Sequence, residues 1–227
     1  MRTLGVIGGM GPAATFDFCA RLTAAVPAAR DQDHPRILVD CDPQVPDRNA
    51  AARGEGASPG AYIAGMARRL VTGGAEVLAM PCNTAHAYRS NIEAAASAPF
   101  VDMIAAAVDD ACAEGVSRIG VLAADGCIAA DLYQDALAAR GGACLLLTAD
   151  DQVAFMRLLY RIKAGDLGAD ARAGMAEFAA RLIAQGAASV IAGCTEVPLV
   201  LSADDVRVRL VNSTDSLVRA TLAKLAS

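Results

Sequence analysis

Short runs of valine, isoleucine and leucine alternate along the chain with longer, alanine-rich stretches. This alternation is typical of βα units built on a buried parallel sheet. It predicts strands at residues 3–8, 36–40, 76–80, 99–102, 118–123, 143–147, 189–192 and 208–211. It predicts helices at residues 12–26, 59–72, 84–96, 103–114, 128–140, 151–163, 170–185 and 213–226.

The apolar pattern repeats once. Cys82 and Cys194 each follow a Gly-Ala pair by the same interval and end a short apolar run, and residues 4–7 resemble residues 119–122. The repeat predicts two pseudo-symmetric α/β domains, each a mostly parallel sheet flanked by helices. The first spans residues 1–102 together with 209–227, and the second spans residues 103–208. Each domain delivers one thiol to the end of a strand, which predicts an active site in the cleft between them.

Composition narrows the class of protein. The chain has 227 residues, of which 55% are hydrophobic and 4% aromatic, and none of its apolar runs reaches the ~18 residues of a membrane span. The N-terminus lacks the pattern of a signal peptide, so we expect a cytoplasmic protein whose seven cysteines are thiols rather than a disulfide framework. The net charge of −5 and the absence of a basic stripe argue against a nucleic-acid partner.

A glycine-rich turn follows the first predicted strand and opens the first helix. Gly9, Gly11 and Ala14 match a dinucleotide-binding fingerprint, and Asp40 ends the next strand, where a ribose-binding acid would lie. Pro12 stiffens the turn and Asp40 comes late for that role. We therefore favour a turn whose backbone amides approach another anion, such as a carboxylate.

The segment from Cys82 to His86 predicts a strand that turns into a helix. A thiol there lies at the carboxyl edge of the sheet, and the helix N-terminus is expected to lower its pKa. Asn83 and Thr84 can cap the helix or donate to a carboxylate. His86 can orient the Cys82 region or simply pack. The chain has two histidines and no Cys-x-x-Cys pair, so we predict no metal site.

Two cations are candidates for binding a substrate carboxylate. Arg48 lies in a polar loop at residues 42–59, which is long enough to serve as a lid or binding loop. Lys163 ends a predicted helix, where its charge also suits the helix dipole.

Together these motifs resemble the aspartate/glutamate racemase family, and in particular its aspartate racemase branch. The resemblance spans the whole chain and rests on residues 8–12, 43–48, 81–86 and 193–199. It implies a cofactor-independent amino-acid racemase, usually dimeric, in which Cys82 and Cys194 act as opposing acid and base. A small-molecule amino acid and a second copy of the chain are the implied partners, with no membrane.

The resemblance also implies substrate contacts. Asn83, Thr84 and Thr195 would hold the α-carboxylate, and Arg48 and Lys163 would hold the side-chain carboxylate of aspartate. Met10 and Glu196 belong to the matching motifs and are predicted to contact the substrate as well. The chain departs from the family pattern at Cys41-Asp42, Asn49 and Cys127, and Asp42 adds an acid near a site meant for a dicarboxylate.

The chemistry explains why two thiols are needed. Racemisation removes the α-proton from one face of the carbon and returns a proton to the other, so two acid–base groups must flank it. The alternatives are a broad-specificity or glutamate racemase, a related isomerase or decarboxylase, a nicotinamide-dependent oxidoreductase that uses the glycine turn, and a non-catalytic amino-acid sensor. The presence of both cysteines favours racemisation over a one-thiol decarboxylation.

Overall fold

Two four-stranded parallel sheets form the framework of the protein in a computed structural model, which describes residues 1–227 except for the side chain of Glu114. Contacts divide the chain into unit 1, made of Met1–Met103 and Thr214–Ser227, and unit 2, made of Ile104–Ser213. Each unit holds one sheet flanked by helices. The predicted fold class is therefore confirmed.

The eight strands occupy the regions that the apolar runs predict. They are β1 Leu4–Gly8, β2 Ile37–Cys41, β3 Val77–Ala79, β4 Phe100–Val101, β5 Arg118–Ala123, β6 Ala143–Leu145, β7 Ser189–Gly193 and β8 Arg209–Asn212. The strand orders are β2-β1-β3-β4 in unit 1 and β6-β5-β7-β8 in unit 2, with every pair parallel. The two segments that resemble each other in sequence, residues 4–7 and 119–122, lie in equivalent inner strands.

The helices connect these strands and cover the sheets. They are α1 Pro12–Ala25, α2 Arg48–Ala52, α3 Gly60–Thr72, α4 Arg89–Ala95, α5 Met103–Ala111, α6 Asp125–Ala129, α7 Leu132–Ala138, α8 Ala149–Lys163, α9 Ala169–Ala184 and α10 Ser213–Ala226. Short 3-10 turns lie at Asp31–Asp33, Thr84–Tyr88, Ala113–Gly115, Val197–Leu199 and Ala203–Asp205. Within the described residues, no helix is long and apolar enough to cross a lipid bilayer.

Both faces of each sheet are buried, which is why the inner strands are continuous apolar runs rather than alternating ones. In β1, Leu4 and Val6 belong to one core cluster and Ile7 to another. In β5, Val121 and Leu122 likewise divide between two clusters. Successive strand residues point to opposite faces, so each unit has one core above its sheet and one below.

Three predicted elements differ in the structure. The helix expected at 84–96 is a 3-10 turn followed by α4, and the loop expected at 42–59 contains the short helix α2. The helix expected at 128–140 is divided between α6 and α7 because Asp131 adopts a left-handed conformation, with φ of 51°. The Gln134 amide donates to the Ile128 carbonyl and the Asp131 carboxylate at this break, which stabilises it.

The last strand lies in unit 2. β8 pairs with β7 in parallel register, with Val190 opposite Leu210, whereas the division made from the sequence assigned residues 209–212 to the first domain. Backbone pairing decides the place of a strand, and the repeat in sequence does not contain that information. Thr214–Ser227, which includes most of α10, belongs to unit 1.

Candidate active site

Cys82 and Cys194 occupy equivalent places in the two sheets. Cys82 follows β3, which pairs with β1, and Cys194 directly follows β7, which pairs with β5. β3 and β7 are each the third strand in their sheet order. Each thiol thus lies just beyond the carboxyl end of an equivalent inner strand, at the edge where open α/β sheets bind ligands. Both residues are buried, each with 7% of its surface exposed.

Cys82 packs in an apolar core cluster, and the two residues that follow it in the chain are polar. Met10 and Val45 belong to the same core cluster as Cys82, so the glycine turn and the start of the 42–59 segment pack into the core that contains this thiol. Asn83 and Thr84 are also buried. The Asn83 side chain makes no capping hydrogen bond, and the element that follows is a single 3-10 turn. Asn83 therefore does not cap this turn, and no regular helix begins beside Cys82.

The glycine turn is closed by the side chain of Thr15, a role that the sequence analysis missed. Its hydroxyl accepts a hydrogen bond from the Gly9 N–H at 2.9 Å and donates to the Gly11 carbonyl at 3.0 Å. The i, i+4 spacing of Gly11 and Thr15 at the start of a helix was the available signal. The Gly9 amide is therefore used inside the protein and is not available to an anion bound at this turn.

Arg48 begins α2 and is half-buried. Its Nη1 donates to the carbonyls of Val45 and Pro46 at 3.1 and 3.0 Å. These bonds tie the guanidinium to the segment that packs beside Cys82. Arg48 also lies close enough to Tyr88 for its charge to lower the pKa of the phenol, although burial raises that pKa overall. The structure therefore brings Met10, Arg48, Cys82, Asn83 and Thr84 to the same edge of the unit 1 sheet.

In unit 2 the carboxylate of Glu196 contacts the Cys194 thiol, the Thr195 hydroxyl and the Lys163 ammonium. The thiol donates to Glu196 Oε2 at 2.9 Å, and the Thr195 hydroxyl donates to the same oxygen at 3.2 Å. Lys163 reaches this carboxylate from the end of α8, with Nζ 3.9 Å from Oε1. Glu196 and Lys163 were predicted to contact a substrate. The structure shows a carboxylate that holds the thiol and an ammonium that faces the carboxylate.

This arrangement favours the protonated form of Cys194. Burial raises the pKa of the thiol well above its ordinary value, and the charge and hydrogen bond of Glu196 raise it further. The ammonium of Lys163 and a backbone hydrogen bond from Glu196 act in the opposite direction but are weaker. A thiol in this state can donate a proton. It becomes a base only when something offsets the cost of its negative charge.

A metal site would need several ligating side chains close together. In the part of the chain that the structure describes, no group of three or more histidine, cysteine, aspartate or glutamate side chains is arranged to hold a metal ion.

Comparisons with known proteins show which sequences and folds the chain resembles. The Asp/Glu/hydantoin racemase family model matches residues 7–221. A broad-specificity amino-acid racemase of Bacillus subtilis is 25% identical over 97% of this chain and 96% of its own length. The structure of an aspartate racemase of Picrophilus torridus matches with a TM-score of 0.88 and 25% identity, over 100% of this chain and 95% of that chain. A glutamate racemase of Francisella tularensis shares the fold, with a TM-score of 0.76 and 17% identity over 99% of this chain and 81% of that chain.

Proposed function

Because the chain belongs to the Asp/Glu/hydantoin racemase family, we propose that it racemises an amino acid without a cofactor, that Cys82 and Cys194 are its two acid–base groups, and that aspartate is its preferred substrate. The observation that carries this proposal is the equivalent placement of the two thiols, each beyond an inner strand of its own sheet. The proposal requires that the two units present these thiols to opposite faces of one α-carbon.

The protonation of Cys194 suggests how the two roles are divided at rest. In one direction, the Cys82 thiolate removes the α-proton, and the electron pair of the C–H bond stays on the α-carbon and its carboxylate. The Cys194 thiol then gives its proton to the opposite face. Cys82 ends as a thiol and Cys194 as a thiolate, which is the state that converts the other enantiomer. Glu196 and Lys163 influence the step in which Cys194 gives up its proton, because both act on the pKa of that thiol.

Stabilisation of the carbanion is assigned to hydrogen-bond donors beside each thiol. Asn83 and Thr84 in unit 1 would donate to the α-carboxylate, where negative charge develops, and Thr195 in unit 2 would do so once its hydroxyl proton turns away from Glu196 Oε2. Met10, packed with Cys82, would exclude water from that side. Arg48 would bind the distal carboxylate of aspartate, since its guanidinium is held by backbone carbonyls beside the Cys82 cluster.

The test of the two-thiol proposal is a chiral assay of L- and D-aspartate, glutamate and several neutral amino acids. Cys82→Ala and Cys194→Ala should each lower kcat by at least about 100-fold while the thermal unfolding transition stays cooperative. Cys144→Ala, which removes a partly buried thiol from β6, is the matched control and should keep its activity. Substantial turnover by either well-folded active-site variant would rule out the two-thiol mechanism.

The second candidate is a broad-specificity racemase. Lys163, which the family resemblance assigns to the distal carboxylate, faces Glu196 in the structure, so one of the two expected cations is already engaged. The similarity to the Bacillus subtilis racemase agrees with this alternative.

Arg48→Ala separates the two candidates. If Arg48 binds a distal carboxylate, the substitution should reduce kcat/KM for aspartate by about 10- to 100-fold and affect neutral amino acids much less. Arg53→Ala is the control, because Arg53 is an exposed arginine that follows the same short helix and pairs with Glu55. Equal losses of kcat/KM for charged and neutral substrates would mean that Arg48 only stabilises the segment around Val45 and Pro46. That result would favour the broad-specificity enzyme.

A further inference from the structure

His86 is buried, with 5% of its surface exposed, and both of its ring nitrogens are used. Nδ1 lies 2.8 Å from the Cys82 carbonyl oxygen, and Nε2 lies 3.0 Å from the backbone nitrogen of Met103. A backbone N–H only donates, so Nε2 must accept. A carbonyl only accepts, so Nδ1 must carry the proton. Both hydrogen bonds are satisfied by one neutral tautomer of the ring, with the proton on Nδ1. The Val101 carbonyl also faces the ring and favours its protonated form, but burial opposes that form more strongly.

The backbone explains why a side chain is needed at this place. In a regular helix the Cys82 carbonyl would accept from the backbone N–H of His86, but that N–H donates instead to Asn83 in the 3-10 turn. The imidazole supplies the donor that the backbone does not. On the other side of the same residue, the Cys82 N–H donates to the Met80 carbonyl at 2.8 Å. Cys82 is therefore held at both ends of its backbone.

The other end of the ring is fixed as well. Met103 is the first residue of α5, so its N–H is one of the donors that a helix leaves without an internal partner. The Phe100 ring packs against the imidazole, with 5.2 Å between ring centroids. Burial lowers the pKa of His86, which keeps the ring neutral and the two hydrogen bonds intact at neutral pH.

We infer that His86 is a positioning residue for Cys82: its Nδ1–H holds the Cys82 carbonyl, and through it the direction of the thiol, while the N-terminus of α5 holds the ring. The effect on catalysis rests on the proposed function, because a misplaced Cys82 thiol lowers turnover only if Cys82 is an acid–base group. The physical link itself, from Met103 through the ring to Cys82, involves only residues of unit 1, whereas the rest of α5 belongs to unit 2.

Two substitutions separate the two hydrogen bonds. The amide nitrogen of His86→Asn reaches the place of Nδ1 and keeps the donor to Cys82, while the amide of His86→Gln reaches the place of Nε2 and keeps the acceptor for Met103. Each variant loses one hydrogen bond, so both should lose similar thermal stability. A positioning role predicts that kcat falls roughly 10- to 100-fold in the glutamine variant with KM nearly unchanged, and within about threefold in the asparagine variant. Equal losses of kcat in the two variants would overturn the inference.

A second readout does not depend on turnover. The rate at which iodoacetamide alkylates Cys82, measured by peptide mapping relative to Cys194, should change in His86→Gln and stay near the original ratio in His86→Asn. His34→Gln, at the only other histidine, is the control and should leave the ratio unchanged. If the unaltered protein racemises none of the amino acids in the panel, the proposed function fails, and the alkylation ratio still decides the role of His86.

The tautomer can be tested in the unaltered protein, so the inference does not depend on variants that fold. With only two histidines in the chain, nitrogen-labelled NMR spectra of the imidazole rings can be assigned through His34→Gln. We expect His86 to be neutral at neutral pH with its proton on Nδ1. A proton on Nε2, or a cationic ring, would contradict the hydrogen bonds from which the role is inferred.

Discussion

Replacing Glu196 with glutamine tests how the structure sets the protonation state of Cys194. The thiol donates to Glu196 Oε2 at 2.9 Å, and both residues are buried. Burial is the main cause of the raised pKa of Cys194, and the charge and hydrogen bond of Glu196 add to it. Glutamine has nearly the same shape and no charge. We therefore expect the pKa of Cys194 to fall in Glu196→Gln while the packing around the thiol is kept.

The size of the effect follows from the charge of Glu196 and, to a smaller extent, from its hydrogen bond to the thiol. A hydrogen bond to a charged group contributes about 1.5–3 kcal/mol, which changes the thiolate fraction at a fixed pH by roughly 10- to 150-fold. The nucleophilicity of a thiolate falls as its pKa falls, with a Brønsted coefficient of about 0.4–0.5, and this offsets nearly half of the gain on a logarithmic scale. Alkylation of Cys194 by iodoacetamide should therefore be about 4- to 16-fold faster in Glu196→Gln.

Lys163→Met should have the opposite sign. Its Nζ lies 3.9 Å from Glu196 Oε1 and lowers the pKa of Cys194, so removing it leaves more thiol and slows alkylation. The Lys163 side chain is 30% exposed, so solvent screens its charge. We take the interaction of this ammonium with the Cys194 thiolate to be no larger than that of an exposed ion pair, about 0.2–1 kcal/mol, which limits the slowing to roughly threefold. Peptide mapping gives each rate relative to Cys144, whose pKa burial raises to about 11 and which neither substitution changes. Slower or unchanged alkylation in Glu196→Gln would refute the reasoning.

Two further predictions concern the stability of unit 1. Gly9 has φ of 91°, and an added Cβ would lie 2.3 Å from the Asp42 carbonyl oxygen, so Gly9→Ala should lower the free energy of unfolding by roughly 2–4 kcal/mol in urea titrations. The second concerns pH. Burial lowers the pKa of His86, Asp102 acts against this and Arg89 adds to it. Below about pH 6.5 the unfolded chain takes up a proton that the folded ring resists, so the free energy of unfolding should fall with falling pH by up to about 1.4 kcal/mol per pH unit from this residue.

Each of these predictions has a matched control. Gly56→Ala adds a Cβ at an ordinary contact distance of 3.7 Å from Ala50, and its free energy of unfolding should change by less than about 1 kcal/mol. Equal losses at Gly9 and Gly56 would mean that the turn at Gly9 is not constrained. For pH, His86→Asn removes the titrating ring, so its stability should fall less steeply between pH ~6.5 and ~5.5. The same slope as the unaltered protein would assign the acid sensitivity to other groups.

The alternation of apolar runs and alanine-rich stretches was enough to locate all eight strands. The inner strands β1, β3, β5 and β7 are buried on both faces and must be apolar almost throughout, so each one is visible as a short run without help from its neighbours. The repeat was enough to pair β1 with β5 as equivalent strands and to identify Cys82 and Cys194 as the residues that follow β3 and β7. These features are local in the chain, or depend on comparing one half of it with the other.

Helix boundaries were less predictable, because they depend on single side chains. The break between α6 and α7 rests on the left-handed Asp131 and the Gln134 amide, and an alanine-rich pattern continues across it. The 3-10 turn after Cys82 has a composition that also suits a regular helix. A few hydrogen bonds decide where such a helix ends and whether a turn is 3-10 or α-helical. The periodic pattern of apolar residues carries no information about these bonds.

The protonation of Cys194 was decided by tertiary structure. Burial is the largest cause of its raised pKa, and Lys163 reaches Glu196 from the end of α8, which is distant from Cys194 in the chain. His86 meets Met103 only because α5 begins beside the 3-10 turn. Sequence determines which residue types are available at each strand end. Coulomb energies and hydrogen bonds depend on separations of a few ångströms between residues distant in the chain, and those separations exist only once the chain has packed.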